Sequence, residues 1–146
     1  MRENMGLYRG KRTDNGEWVF GYLCKFNDRY DIFVPFTEEE NKANEGHFLS
    51  AIGGLWHKVN KETVGQFIGL TDKNGKMIFE GDIIENSGCR WVIGFVNTAF
   101  AAMDGPDMQF AMFEQYIWDH KKREWVAPDY WEVVGNIHDN PELLEE

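Results

Sequence analysis

Short runs of alternating apolar and polar residues, separated by Gly, Asn and Asp clusters, recur along most of the chain. A period of two predicts β-strands, and the clusters predict tight turns. Residues 7–12 and 17–24 flank Thr13-Asp14-Asn15-Gly16, and an Asn-Gly step between two such runs predicts a hairpin. In the second run Trp18, Phe20, Tyr22 and Cys24 share one face, while Val19, Gly21 and Leu23 share the other. Both faces are apolar. This strand is therefore expected to be buried on both sides, or to lie at the centre of a closed barrel. Asn27-Asp28 predicts the next turn, and residues 30–34 a third strand ended by Pro35.

The stretch from Thr37 to Gly46 breaks the pattern. Thr37 followed by Glu40 has capping-box spacing, and Gly46 is placed to stop a helix. Only Ala43 within it is apolar, so the expectation is a short exposed helix or a loop, as part of a variable insertion around residues 37–57. Residues 47–58 carry Phe48, Leu49, Ile52, Leu55 and Trp56 around Gly53-Gly54, without a readable period.

Residues 63–84 predict a strand, the turn Asp72-Lys73-Asn74-Gly75, a return strand at 77–79, a second turn at Glu80-Gly81-Asp82, and another strand from Ile83-Ile84. The turn 13–16 and the turn 72–75 share their chemistry. Two hairpins with the same backbone demands explain this without a duplication. Further strands are expected at 90–96, 99–103, 108–113, 116–120, 124–126 and 131–137, with Lys121-Lys122-Arg123 at a basic hairpin tip. Asn140-Pro141 predicts a capped final turn, with Leu143 and Leu144 holding it to the body. The fold class is mainly β: a small, β-barrel-like antiparallel domain, SH3-like or related, with hairpins and at most short helices.

Bulk properties bound the rest. The 146 residues suit a single domain over 1–146 with a real core. Aromatics at 15% favour half-buried pleated surfaces. A net charge of −10 opposes non-specific phosphate binding, which depends on Lys and Arg. Its simplest role is solubility, and it also allows contact with a basic partner. Cys24 and Cys89 stand far apart with no CxxC, a weak disulfide signal. No apolar leader and no long apolar run are visible, so a cytoplasmic setting in a host cell is expected, with no membrane contact.

Three blocks then read together: residues 7–23 (LYRGKRTDNGEWVFGYL), 63–84 (TVGQFIGLTDKNGKMIFEGDII) and 131–144 (WEVVGNIHDNPELL). In this order and spacing the chain resembles the YopX family of phage and prophage proteins. The resemblance implies a small, mainly β protein encoded by a bacteriophage or prophage. It implies no established activity, and so no catalytic residues to carry over.

Candidate chemistry is sparse, and each candidate has a simpler reading. Glu80, Asp82 and Glu85 cluster near one turn, where paired carboxylates bind Mg²⁺ or act as acid and base. Asp82 bonding turn amides is the simpler role. Cys89, beside Arg90, has the neighbour that lowers a thiol pKa, yet Ser87-Gly88-Cys89 also reads as a turn and a strand start. His47, His57, His120 and His138 lack metal-ligand spacing, and no phosphate loop is present. Two patches combine basic and aromatic residues as single-strand binders do: Trp118 and Trp125 with Lys121, Lys122 and Arg123, and Tyr8 with Arg9, Lys11 and Arg12. No catalytic, cofactor-binding or metal residue is assigned, and no cofactor is expected. The leading expectation is a non-enzymatic accessory protein acting by contact with a host or phage protein, also possible as a homo-oligomer. The alternatives are a nucleic-acid-binding small barrel, and a hydrolase or nuclease built around Asp82.

Overall fold

A computed structural model describes residues 6–47, 52–96, 99–104, 109–112, 117–121, 123–126 and 131–145. The chain divides into two compact units, Gly6–Gln66 and one built on Phe67–Glu146.

In the first unit β1 (Leu7–Lys11), β2 (Trp18–Phe26), β3 (Arg29–Pro35) and β4 (Gly54–Lys58) form an antiparallel meander, and Gly65 and Gln66 open β5 (Gly65–Thr71) beside β1. The turn chemistry acts as predicted. Gly16 takes φ +71, and the Arg12 amide donates to the Glu17 carbonyl at 2.9 Å. Asn27 takes φ +53 in the two-residue turn between β2 and β3. Past β4 the chain comes back to β1: Val59 bridges Arg12, the Thr13 amide donates to the Lys58 carbonyl at 3.0 Å, and the Asn60 amide to the Lys11 carbonyl at 2.9 Å. The Thr63 hydroxyl accepts from the Lys11 amide at 2.8 Å and donates to the Asn60 carbonyl at 2.6 Å, which fixes this return. The four-stranded meander, part of a six-stranded sheet in the order β4-β3-β2-β1-β5-β6, therefore curls around Ile32 and Val59, which are 0% and 3% exposed.

Between β3 and β4 lies α1 (Glu38–Ala43), the short exposed helix read from the capping box. Thr37 accepts from the Glu40 amide at 3.2 Å, and Glu40 accepts from the Thr37 amide at 2.7 Å; no helix residue is buried. The stretch expected as an insertion also contains β4, a full ladder partner of β3 from Asp31↔Lys58 to Pro35↔Gly54.

In the second unit the continuation of β5 pairs with β6 (Met77–Phe79) across a bulge at Gly69, which has φ +91. The other strands are β7 (Asp82–Asn86), β8 (Cys89–Val96), β9 (Ala99–Asp104), β10 (Gln109–Met112), β11 (Ile117–Asp119), β12 (Glu124–Val126) and β13 (Glu132–Asn136). They form a five-stranded antiparallel sheet in the order β10-β9-β8-β7-β13 and a separate β11-β12 hairpin. Leu70, Ile78, Ile84, Ile93, Ala102, Trp131 and Val133 make the core, with Trp91 edge-on to Trp131 at 6.4 Å.

The class is mainly β and antiparallel with short helices only, but a closed barrel is absent among the described residues. The first unit closes through one bridge, and β10 and β13 are open ends of their sheet. The two-sided burial expected of β2 does not occur either. Phe20 and Tyr22 are 44% and 50% exposed, and Cys24 is exposed. Curling gives β2 one inner face and leaves the other to water. The final turn, Pro141–Leu144, has no side-chain cap from Asn140, whose Oδ1 accepts from the Asn136 amide instead at 3.3 Å. Leu143 is half-buried, while Leu144 is 41% exposed.

Candidate interaction surface

On an antiparallel ladder, directly paired residues project to the same face. The register of the first unit therefore places Leu7, Tyr22, Phe33 and Trp56 in one row across four strands: Leu7↔Tyr22, Tyr22↔Phe33 and Phe33↔Trp56. The row lies on the outer face, opposite Ile32. Tyr22 is 50% exposed and Trp56 51%, and the Phe33 and Trp56 rings pack 4.7 Å apart at 43°. Phe20 extends the same face one pair further along β2. Contiguous exposed aromatics of this kind mark contact surfaces on soluble proteins.

Cations border the row. Arg9 and Lys11 pair with Phe20 and Trp18, and both lie over the Trp18 ring, 4.7 Å and 5.4 Å from its centroid. On the other side Lys58 is paired with Asp31, and Asp31 accepts from Arg29 at 2.9 Å. The Gly6–Gln66 unit has eight Lys and Arg against nine Asp and Glu, so it holds only −1 of the net −10. Four of those nine acids, Glu38, Glu39, Glu40 and Glu45, belong to the α1 segment rather than the sheet.

This face includes part of one basic and aromatic patch read from the sequence. Arg9 and Lys11 lie on it, and Tyr8, at the alternate position of β1, projects to the other side. Arg12 is committed to Asp14 through two bonds, at 2.9 Å and 2.6 Å. That pairing raises the guanidinium pKa and lowers the carboxyl pKa, chiefly through the shared hydrogen bonds. At the second patch Lys121 and Arg123 are exposed beside a hairpin in which Trp118 pairs with Trp125; Lys122 lies outside the described residues.

Within the acidic cluster, Asp82 and Glu85 are held by separate local bonds. Asp82 is 1% exposed, and its Oδ2 accepts from the Phe79 amide at 2.8 Å, closing the Glu80-Gly81 turn. Glu85 stands three positions on, at opposite strand parity, and accepts from Arg90 at 3.0 Å. Arg90 also donates to the Leu143 carbonyl at 2.9 Å, so it is committed away from Cys89, which is exposed. Among the described residues no three His, Cys, Asp or Glu side chains gather as a metal site would require.

Asp72 is the buried acid that the sequence reading took only for a turn residue. Its Oδ1 accepts from the Asn74 and Lys76 amides at 2.8 Å and 2.9 Å, and its Oδ2 from the Val133 amide at 3.0 Å. Burial pushes its pKa up, but the bonds from Val133, Lys76 and Asn74 outweigh this and hold it below the usual carboxylate value. Nothing local in the sequence marks Asp72, because its third partner is 61 residues away.

These features define an antiparallel β protein with exposed aromatic side chains on a sheet face of its first unit. A family model described as YopX protein matches residues 7–145, and the chain belongs to the YopX family. A solved structure, "Crystal structure of protein EF1440 from Enterococcus faecalis", matches with a TM-score of 0.50 and 22% identity, covering 97% of this chain and 99% of that one. At that identity the likeness is one of fold. No curated protein matches the chain.

Proposed function

We propose that this is a non-enzymatic accessory protein, encoded by a phage or prophage, that works by protein contact through the aromatic face of its first unit. The observation that carries this reading is the row Leu7, Tyr22, Phe33 and Trp56, held on rigid strands with two of its aromatic rings half exposed. Burying such rings against a partner releases water from apolar area at about 25 cal/mol per Å², and Trp and Tyr are frequent binding hot spots. Two of the three carboxylates that would serve a nuclease are otherwise engaged: Asp82 in its turn and Glu85 with Arg90.

The test compares wild-type protein with Tyr22→Ser/Trp56→Ser as bait in lysate of the host cell. Both positions are exposed, so the variant is expected to keep the wild-type circular dichroism spectrum and melting temperature. A partner that binds purified wild-type protein and is lost by the folded variant supports the reading. Identical capture by both proteins overturns it.

A further inference from the structure

Resting on that reading, we infer that the face takes a proline-rich segment of a partner protein, held in the polyproline II conformation and laid across the strands from Tyr22 to Trp56. The first argument is spacing. Tyr22, Phe33 and Trp56 occupy directly paired positions on the successive strands β2, β3 and β4. Neighbouring strands lie about 4.8 Å apart. The Phe33 and Trp56 ring centroids keep that distance, at 4.7 Å. The two half-exposed residues, Tyr22 and Trp56, are therefore separated by two strand spacings, roughly 9.6 Å. Polyproline II repeats every three residues, a turn of about 9.3 Å. Prolines three positions apart thus meet Tyr22 and Trp56 in turn, with Phe33 between them.

The second argument is hydrogen bonding. Polyproline II has no internal hydrogen bonds, so its carbonyls are bare acceptors. A Tyr hydroxyl and a Trp indole N–H are donors carried on otherwise apolar rings. Among the described residues no acceptor is bonded to either donor at Tyr22 or Trp56. Aromatic-lined surfaces recognise proline-rich chains through this combination of ring contact and donor.

Other occupants fit less well. β2 and β3 each have a strand on both sides, so no strand can be added at Tyr22 or Phe33. The apolar row is also narrow. Two positions further along the strands stand Cys24, Asp31 and Lys58, paired in their own row. An amphipathic helix, about 10 Å across, would press its apolar face on Asp31 and Lys58, whereas one extended chain fits the row. A second copy supplies no such segment, because the four prolines of this chain, Pro35, Pro106, Pro128 and Pro141, stand apart.

The experiment measures fluorescence anisotropy of labelled probes titrated with the full-length protein. The probes are nonaproline, a Gly and Ser peptide of the same length, an amphipathic helical peptide and oligothymidylate. Nonaproline is expected to bind at least about tenfold more tightly than the other three, a difference near 1.4 kcal/mol. Its binding is expected to hold between low and moderate salt, because no charge takes part. It is expected to fall at least about tenfold in Tyr22→Ser/Trp56→Ser, and about threefold in Tyr22→Phe, which keeps the ring and loses the donor. Nonaproline that binds no more tightly than the Gly and Ser peptide overturns the inference. Nonaproline binding left unchanged in Tyr22→Ser/Trp56→Ser overturns it too. In either case a lysate partner lost by the folded variant still supports the contact reading. The helical peptide as the tightest probe, with loss in the variant, overturns the proline preference and leaves the contact reading standing. Oligothymidylate as the tightest probe, with the same loss, assigns the face to single-stranded nucleic acid and overturns both. A dimer seen by sedimentation that dissociates in Tyr22→Ser/Trp56→Ser gives the face to a second copy, and overturns the inference.

Discussion

At the scale of single residues, Asp72 shows how one carboxylate joins distant parts of the second unit. It caps its own turn and the Val133 amide of β13 with separate oxygens. In Asp72→Asn one of those oxygens becomes an NH₂ group, so at least one buried amide loses its acceptor. The expected cost at neutral pH is about 1–3 kcal/mol, measured by urea unfolding. The sign of its pH dependence follows from its lowered pKa. The stabilisation is fully present above the ordinary value of 3.8, and it is lost as pH falls through the lower folded value. The stability gap between wild type and Asp72→Asn is therefore expected to narrow only below the ordinary carboxylate range. A gap that closes between pH 5 and 7 would contradict this account. Asp82→Asn, with its buried bond to Phe79, is expected to destabilise by a similar amount, about 1–3 kcal/mol, and to leave probe binding to the first unit unchanged.

At the scale of elements, the aromatic row depends on β2 and β3 lying flat against each other, and Gly21 makes that approach possible. A Cβ there would overlap the Phe33 carbonyl oxygen and stand 3.1 Å from Ile32 Cγ2. Gly21→Ala is expected to cost about 1–3 kcal/mol and to displace Phe33, so that binding weakens along with stability. Thermal melts and the anisotropy titration read the two effects separately. Thr37→Ala removes half of a capping box, yet α1 buries nothing, so its effect on global unfolding is expected to stay below about 0.5 kcal/mol. Sequence pattern placed most strands correctly because their turns carry explicit signals: Asn15-Gly16, Asn27-Asp28, Asp72 to Gly75. It failed at β4, whose GLWHK sequence has no clear alternation and begins within the Gly53-Gly54 pair. That strand is specified by its partner β3, and no local pattern reports a partner.

At the scale of the whole molecule, charge is distributed unevenly. The Gly6–Gln66 unit holds −1, and the rest of the chain holds the other −9. Like charges concentrated in one unit repel, and salt screens them over about 10 Å at 0.1 M. The melting transition that reports the Phe67–Glu146 unit is expected to rise between low and moderate salt, with the first unit's transition nearly unchanged. Calorimetry across a salt series checks this, and a fall of the second unit's transition would refute it. Among the described residues no helix is long and apolar enough to cross a membrane.

The sequence by itself determined the antiparallel β class, the hairpin turns, the capped helix and the family. Each of these rests on local rules: a period of two, a residue able to adopt positive φ, a Thr three positions before a Glu. Tertiary structure alone decided which side of a strand meets water. Periodicity put Phe20 and Tyr22 on one face and Val19 and Leu23 on the other, but both faces are apolar. The curl that brings Val59 back to Arg12 chose the Val19 face as interior. The same curl turned Tyr22 and Trp56 outward into one row, because register across strands depends on contacts far apart in the chain.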